Sequence, residues 1–124
     1  MEQKFYICEH CGNIIMMIKD VGVPIMCCGE KVKEMSPGTT DGAVEKHTPE
    51  YKVEGNLITV SVGSVEHPMQ HEHYIEWVYL QTKQGMQCKM LHEEDKPEVC
   101  FAICEGDEIE AVYAYCNLHG LWKA

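Results

Sequence analysis

The sequence predicts a mainly-β chain: a small four-cysteine metal domain over residues 1–36, then a β-sandwich or barrel domain over residues 37–124. Three observations predict it. Two cysteine pairs, Cys8-x2-Cys11 and Cys27-Cys28, sit in a segment too short to bury a core of its own. Beyond residue 43, short runs rich in Val, Ile, Tyr and Thr alternate with turn formers at a spacing of roughly 8–12 residues, the mark of a sandwich or barrel. No segment carries helical periodicity for longer than a turn or two.

The first domain holds two short apolar segments, Lys4–Cys8 and Ile14–Ile18. Val23-Pro24-Ile25-Met26 then leads into Cys27-Cys28-Gly29. A segment this small commonly relies on a structural metal. Cys8-x2-Cys11 places two thiols on one tight turn, and Gly12 supplies the backbone freedom a knuckle needs. Four thiolates form a closed tetrahedral shell suited to zinc or iron. Adjacent Cys27 and Cys28 depart from the spaced pairs of a zinc ribbon, so an irregular tetrahedron is expected. Ser36-Pro37-Gly38-Thr39-Thr40-Asp41-Gly42 is dense in turn formers and reads as a linker.

The predicted strands of the second domain are Leu57–Val62, Tyr74–Gln81, Met86–Leu91, Glu98–Cys104 and Ile109–Tyr115. Glu54-Gly55-Asn56, Gly63-Ser64, Lys83-Gln84-Gly85, Glu93–Pro97 and Glu105-Gly106-Asp107 separate them. Leu57–Val62 alternates Leu57, Thr59 and Ser61 against Ile58, Val60 and Val62, as a half-buried strand does.

Charge narrows the function. All 10 basic residues are Lys against 20 acids, a net charge of −10, and no Arg is present. Nucleic-acid binding needs a basic face, so that class is excluded. No apolar run approaches the roughly 20 residues of a spanning helix, so no membrane partner is expected. Residues Met1–Phe5 show no basic segment leading into an apolar run, so no secretory signal is expected and a cytoplasmic location is. Thiols there stay reduced, which favours metal ligation for the 8 Cys and 7 His over disulfides.

A second constellation lies on loops of the strand-rich domain. Glu45-Lys46-His47 follows the linker, His67 and His73 bracket a loop before a strong strand, and Cys116 and His119 share one turn. Thiolate and imidazole together favour iron, copper or zinc over magnesium or calcium. His10, His71 and His92 read as exposed, Cys88, Cys100 and Cys104 as buried small apolar residues, and the methionines mostly as core fillers.

These residues resemble the desulfoferrodoxins, the two-iron superoxide reductases. The resemblance runs through Cys8-x2-Cys11-Gly12-Asn13, Cys27-Cys28-Gly29-Glu30, Thr40-Asp41-Gly42-Ala43, Glu45-Lys46-His47 and Gly63-Ser64-Val65-Glu66-His67-Pro68-Met69. It continues through His73-Tyr74-Ile75-Glu76-Trp77 and Tyr115-Cys116-Asn117-Leu118-His119-Gly120-Leu121-Trp122-Lys123. It implies a desulforedoxin-like domain whose Cys8, Cys11, Cys27 and Cys28 hold one iron. It implies an immunoglobulin-like β-sandwich whose His47, His67, His73 and His119 surround a second iron, with Cys116 as axial ligand and one position open. Lys46 would attract anionic superoxide, and Glu45 would occupy the open position on oxidised iron. A rubredoxin-like electron donor and a homodimer are implied as well. Two other readings compete: a four-cysteine electron carrier and a zinc-ribbon interaction module. Five donors around an open position argue against the carrier, and the adjacent cysteines and absence of Arg argue against the module.

Overall fold

The computed structural model describes residues 2–40 and 42–124; Asp41 of the Thr40–Ala43 motif lies outside them. The chain divides into two compact units, Met1–Ser36 and Pro37–Ala124.

Unit 1 is built from short strands. β1 (Phe5–Ile7) lies between β2 (Ile14–Met16) and β5 (Lys33–Met35), antiparallel to both. β3 (Met26–Cys27) and β4 (Glu30–Lys31) form a separate hairpin. Its core is thin: among the described residues, Phe5, Cys8 and Val32 are the buried apolar ones.

Unit 2 is a sandwich. A one-turn helix, α1 (Val44–His47), precedes β6 (Pro49–Glu54), β7 (Leu57–Val62), β8 (Ile75–Thr82), β9 (Met86–Met90), β10 (Glu98–Ala102), β11 (Ile109–Cys116) and β12 (Gly120–Lys123). One sheet runs β10-β7-β6 and the other β12-β11-β8-β9, with every pairing antiparallel. Between them pack Ile58, Val60 and Val62 from β7, Val78 and Leu80 from β8, Val99 and Phe101 from β10, and Val112, Ala114 and Cys116 from β11. The alternation read in Leu57–Val62 is the alternation observed. Where β8 meets β11, Tyr115 faces Trp77 but Cys116 faces Ile75, so Glu76 is an extra residue in the ladder. That bulge turns Ile75 into the core and spares the Glu76 carboxylate full burial.

Two strands of unit 2 were not expected. β6 begins with Pro and carries Glu50, Lys52 and Glu54, a composition suited to the sheet edge it occupies. β12 is a four-residue strand inside the Cys116–Lys123 motif.

Two sequence expectations are corrected. Cys88, Cys100 and Cys104 are exposed, not buried. Cys88 and Cys100 occupy the outward positions of their strands, where Gln87 and Lys89 beside Cys88 reach Ala102 and the Phe101 ring, and Val99 and Phe101 beside Cys100 fill the core. Cys104 falls past the end of β10. The described methionines are not core fillers either: Met26, Met86 and Met90 are exposed, and Met69 only packs against the core from partial burial. Ile, Val, Leu, Phe, Ala and Cys side chains make up the buried core cluster instead.

Candidate metal centres

In unit 1 the first knuckle closes by backbone bonds: Gly12 N donates to Cys8 O and Cys8 N to Asn13 O, both at 2.8 Å. Gly12 takes φ +86°, which its lack of a Cβ permits. The second pair solves its adjacency by conformation. Cys27 ends β3 opposite Glu30, and Cys28-Gly29 form the two-residue turn between them with φ +53° and +75°. Positive φ at both central positions is the geometry of a tight hairpin turn. It swings the two thiols to the same side, where all four cysteines have sulfurs within 4.8 Å of one another. Cys11 Sγ and Cys27 Sγ lie 3.6 Å apart, close to the roughly 3.7 Å expected between sulfurs bound to one tetrahedral ion at about 2.3 Å.

Crowding shows in the acidities. Backbone N–H groups, Cys11 first, draw the Cys8 thiol down to about 6, while neighbouring thiols, Cys11 first, push Cys28 up to about 12. Four sulfurs share negative charge poorly, and a cation among them removes the conflict. Asn13 Nδ2 donates to Cys27 Sγ at 3.7 Å, a supporting role its place in the motif did not disclose.

In unit 2 the histidines converge from separate elements. His47 closes α1, His67 and His73 come from the loop before β8, and His119 comes from the turn between β11 and β12. Ring centroids stand 4.6 Å apart for His47–His67, 4.7 Å for His67–His73, 4.9 Å for His73–His119 and 4.8 Å for His119–His47. The diagonal His47–His73 is 6.3 Å. Neighbours around this ring meet edge to face, and the diagonal pair is stacked, so the four imidazoles form a near-square pinwheel. Ligand atoms of His47, His67, His73 and Cys116 lie within 4.8 Å of one another. His119 joins them through Nδ1, 3.0 Å from His47 Nε2 and 3.8 Å from Cys116 Sγ.

Backbone carbonyls fix two tautomers. His47 Nδ1–H donates to Ala43 O at 2.7 Å and His67 Nδ1–H to Pro68 O at 2.6 Å, which leaves lone pairs on both Nε2 atoms. His73 Nε2 is buried with no hydrogen-bond partner among the described residues. Burial lowers His67 to about 4 and also pushes His47 and His73 below the ordinary imidazole range. Neutral imidazoles with inward lone pairs are metal donors. Cis nitrogens on an ion at about 2.1 Å stand roughly 3.0 Å apart, which matches the His47–His119 and His47–His67 separations of 3.0 and 3.1 Å.

Glu45 and Lys46 lie exposed on α1 beside this square. The Lys46 charge depresses both His47 and His73, and the Glu45 charge opposes it at His47. Further supporting residues were not singled out in the sequence. Trp122 stacks on His47 at 5.0 Å and donates from Nε1 to His119 O at 3.1 Å, and the Thr40 hydroxyl donates to the same carbonyl. A Cβ at Gly42 would stand 3.1–3.2 Å from Trp122, His119 and His47. His71, an extra histidine of the same loop, points away from the square and pairs with Glu93 at 2.7 Å in solvent.

The donor sets fit two iron centres, one of four thiolates and one of four imidazoles with a thiolate. Comparison with known proteins agrees. The desulfoferrodoxin family profile matches residues 39–124. A desulfoferrodoxin of Nitratidesulfovibrio vulgaris is 45% identical over 123 residues, 99% of this chain and 96% of that protein. A desulfoferrodoxin homolog of Archaeoglobus fulgidus is 41% identical over 119 residues, 96% of this chain and 94% of that protein. The crystal structure of the superoxide reductase from Treponema pallidum is similar with a TM-score of 0.85 and 40% identity, over 100% of this chain and 99% of that one. This chain is a member of the desulfoferrodoxin family.

Proposed function

We propose that this chain is a superoxide reductase, taking superoxide, one electron and two protons to hydrogen peroxide at an iron held by His47, His67, His73, His119 and Cys116. The near-square of inward-facing imidazoles beside a buried thiol carries the reading. An iron held there supplies the electron and a coordination position for an anion.

The side chains set the charge at that position. Four neutral imidazoles add none and a Cys116 thiolate adds one negative charge, so a ferrous site keeps a net charge of about +1 toward superoxide. Burial pushes the Cys116 thiol up, so the free thiol stays protonated at neutral pH and becomes a thiolate with a cation present. Lys46 supplies a local positive charge toward an anion in a chain whose net charge is −10. Glu45, on the same turn, acts on the oxidised state as the competing anion.

Cys8, Cys11, Cys27 and Cys28 hold the other iron in a closed shell, which passes electrons or holds unit 1 together. We read the chain as a metal domain over residues 1–36 and a catalytic domain over 37–124, a reading the division into compact units supports. A rubredoxin-like protein returns the electron. Exposed Ile18, Val21, Val23 and Met26 on unit 1 support a homodimer. A cytoplasmic compartment, where thiols stay reduced, suits two centres built on Cys8, Cys11, Cys27, Cys28 and Cys116.

Superoxide decay after an electron pulse, with peroxide and dioxygen counted, tests the activity. Reduction yields one peroxide per superoxide and no dioxygen. Half that peroxide with dioxygen released would mean dismutation.

A further inference from the structure

One turn of helix, α1, carries Glu45, Lys46 and His47 together. It is four residues long, its N-cap residue Ala43 offers no side-chain bond, and its closing bond is Thr48 N to Val44 O at 3.0 Å. A single turn does not hold itself in water. Its position must come from outside.

The segment Gly63-Ser64-Val65, just past β7, provides it. Val65 N donates to Glu45 O at 2.8 Å, and the Ser64 hydroxyl donates to the same oxygen at 3.2 Å. Gly63 lies closer still. A Cβ at that position would stand 2.6 Å from Glu45 O, 2.9 Å from Thr48 O and 3.0 Å from Lys46 C. All three are backbone atoms, so no side-chain rotation relieves the contact; the turn itself must move. Gly42 differs in kind, because its Cβ would press on the rings of Trp122 and His47 and on the His119 side chain. One glycine borders the imidazoles, and the other borders the backbone on which Lys46 stands.

We propose that Gly63 is a positioning residue: with the bonds from Ser64 and Val65, its close approach clamps the α1 backbone and thereby sets where the Lys46 ammonium sits at the four-histidine site. The proposal rests on the superoxide reductase reading of that site and on Lys46 as its anion-attracting charge. A methyl group at Gly63 displaces the turn. Loss of the Ser64 hydroxyl loosens it without adding bulk.

Azide binding to the oxidised, iron-loaded full chain carrying Glu45→Ala, which removes the competing carboxylate of the same turn, reads this out without turnover. In that background the parent (wild type at 46, 63 and 64), Gly63→Ala, Ser64→Ala, Lys46→Ala and the two doubles with Lys46→Ala are compared for azide dissociation constant, iron per chain and the visible thiolate band. The clamp predicts azide affinity weakened about three- to tenfold by Gly63→Ala, with iron content and band position unchanged. It predicts about a twofold weakening by Ser64→Ala, and neither effect in the Lys46→Ala background, because both act through the same charge. The gap between the parent and Gly63→Ala narrows as salt rises. If Gly63→Ala does not fold, Ser64→Ala and its double carry the same test. Parental affinity in Gly63→Ala would overturn the clamp. So would a loss that persists undiminished without Lys46, which would place the effect on His47 instead. Parental affinity in Lys46→Ala alone would overturn the reading of Lys46 beneath it.

Discussion

His47 Nε2 and His67 Nε2 face each other at 3.1 Å, and both rings have already committed their Nδ1 protons to backbone carbonyls. Two nitrogen lone pairs at that distance repel each other unless a cation lies between them. The fold therefore stores an electrostatic conflict that a metal resolves. Binding that resolves it stabilises unit 2 by mass action, about 2.7 kcal/mol at a hundredfold excess over the dissociation constant. For a domain of this size that raises the melting temperature by about 10–20 °C. Calorimetry of metal-free and iron-loaded protein checks it, and equal melting temperatures would contradict the assignment of this square to a metal.

The thin core of unit 1 gives a second expectation. With only Phe5, Cys8 and Val32 as buried apolar residues among its described residues, its four sulfurs must supply the missing stability through a bound ion. Cys8→Ser should remove one iron per chain and leave the amides of β1, β2 and β5 exchanging freely. The visible band of the four-histidine site should remain. Hydrogen exchange and iron analysis on the same sample measure both.

In metal-free protein the buried histidines make stability depend on pH. Burial holds His67 near 4 and lowers His47 and His73, whereas an unfolded chain protonates imidazole near 6.5. Between these values the unfolded state binds more protons than the folded one. Stability is therefore full above about pH 6.5 and falls as the pH drops toward 4. Solvent screening leaves about 1–2 kcal/mol of this to His67. Urea midpoints of the metal-free protein should be lower at pH 5 than at pH 7, and His67→Gln should flatten the slope.

Lys46 stands exposed beside the square, and its charge reaches His47 and His73. Lys46→Ala should lower the rate constant with superoxide about tenfold, a loss of about 1.4 kcal/mol, with iron content intact. Glu45→Ala should leave that rate and shift the visible spectrum of the oxidised protein. Pulse radiolysis and absorption spectra measure the pair, and an unchanged rate in Lys46→Ala would remove it from the mechanism.

Much of the site was legible because metal donors are few in kind and punctuate the sequence. Cys8-x2-Cys11 and the His and Cys at loop edges stand out against any β background. The alternation of Leu57–Val62 fixed which of its residues face inward. What was not legible follows from tertiary context. The adjacency of Cys27 and Cys28 did not disclose how both thiols reach one cluster; a hairpin turn with φ +53° at Cys28 brings them there. β6 was invisible because an edge strand tolerates Pro49 and alternating charge. Cys88 and Cys100 were misplaced because a small apolar residue in a strand faces in or out according to register, and register is set by partners distant in sequence. Trp122, Gly42 and Gly63 act by close approach, which no spacing rule encodes.

The most direct test of the central claim is iron and zinc per chain, read with the visible spectrum before and after mild oxidation. Two irons, with one thiolate band always present and a second appearing on oxidation, are predicted. Colourless protein holding zinc alone, after expression with ample iron, would contradict the superoxide reductase account.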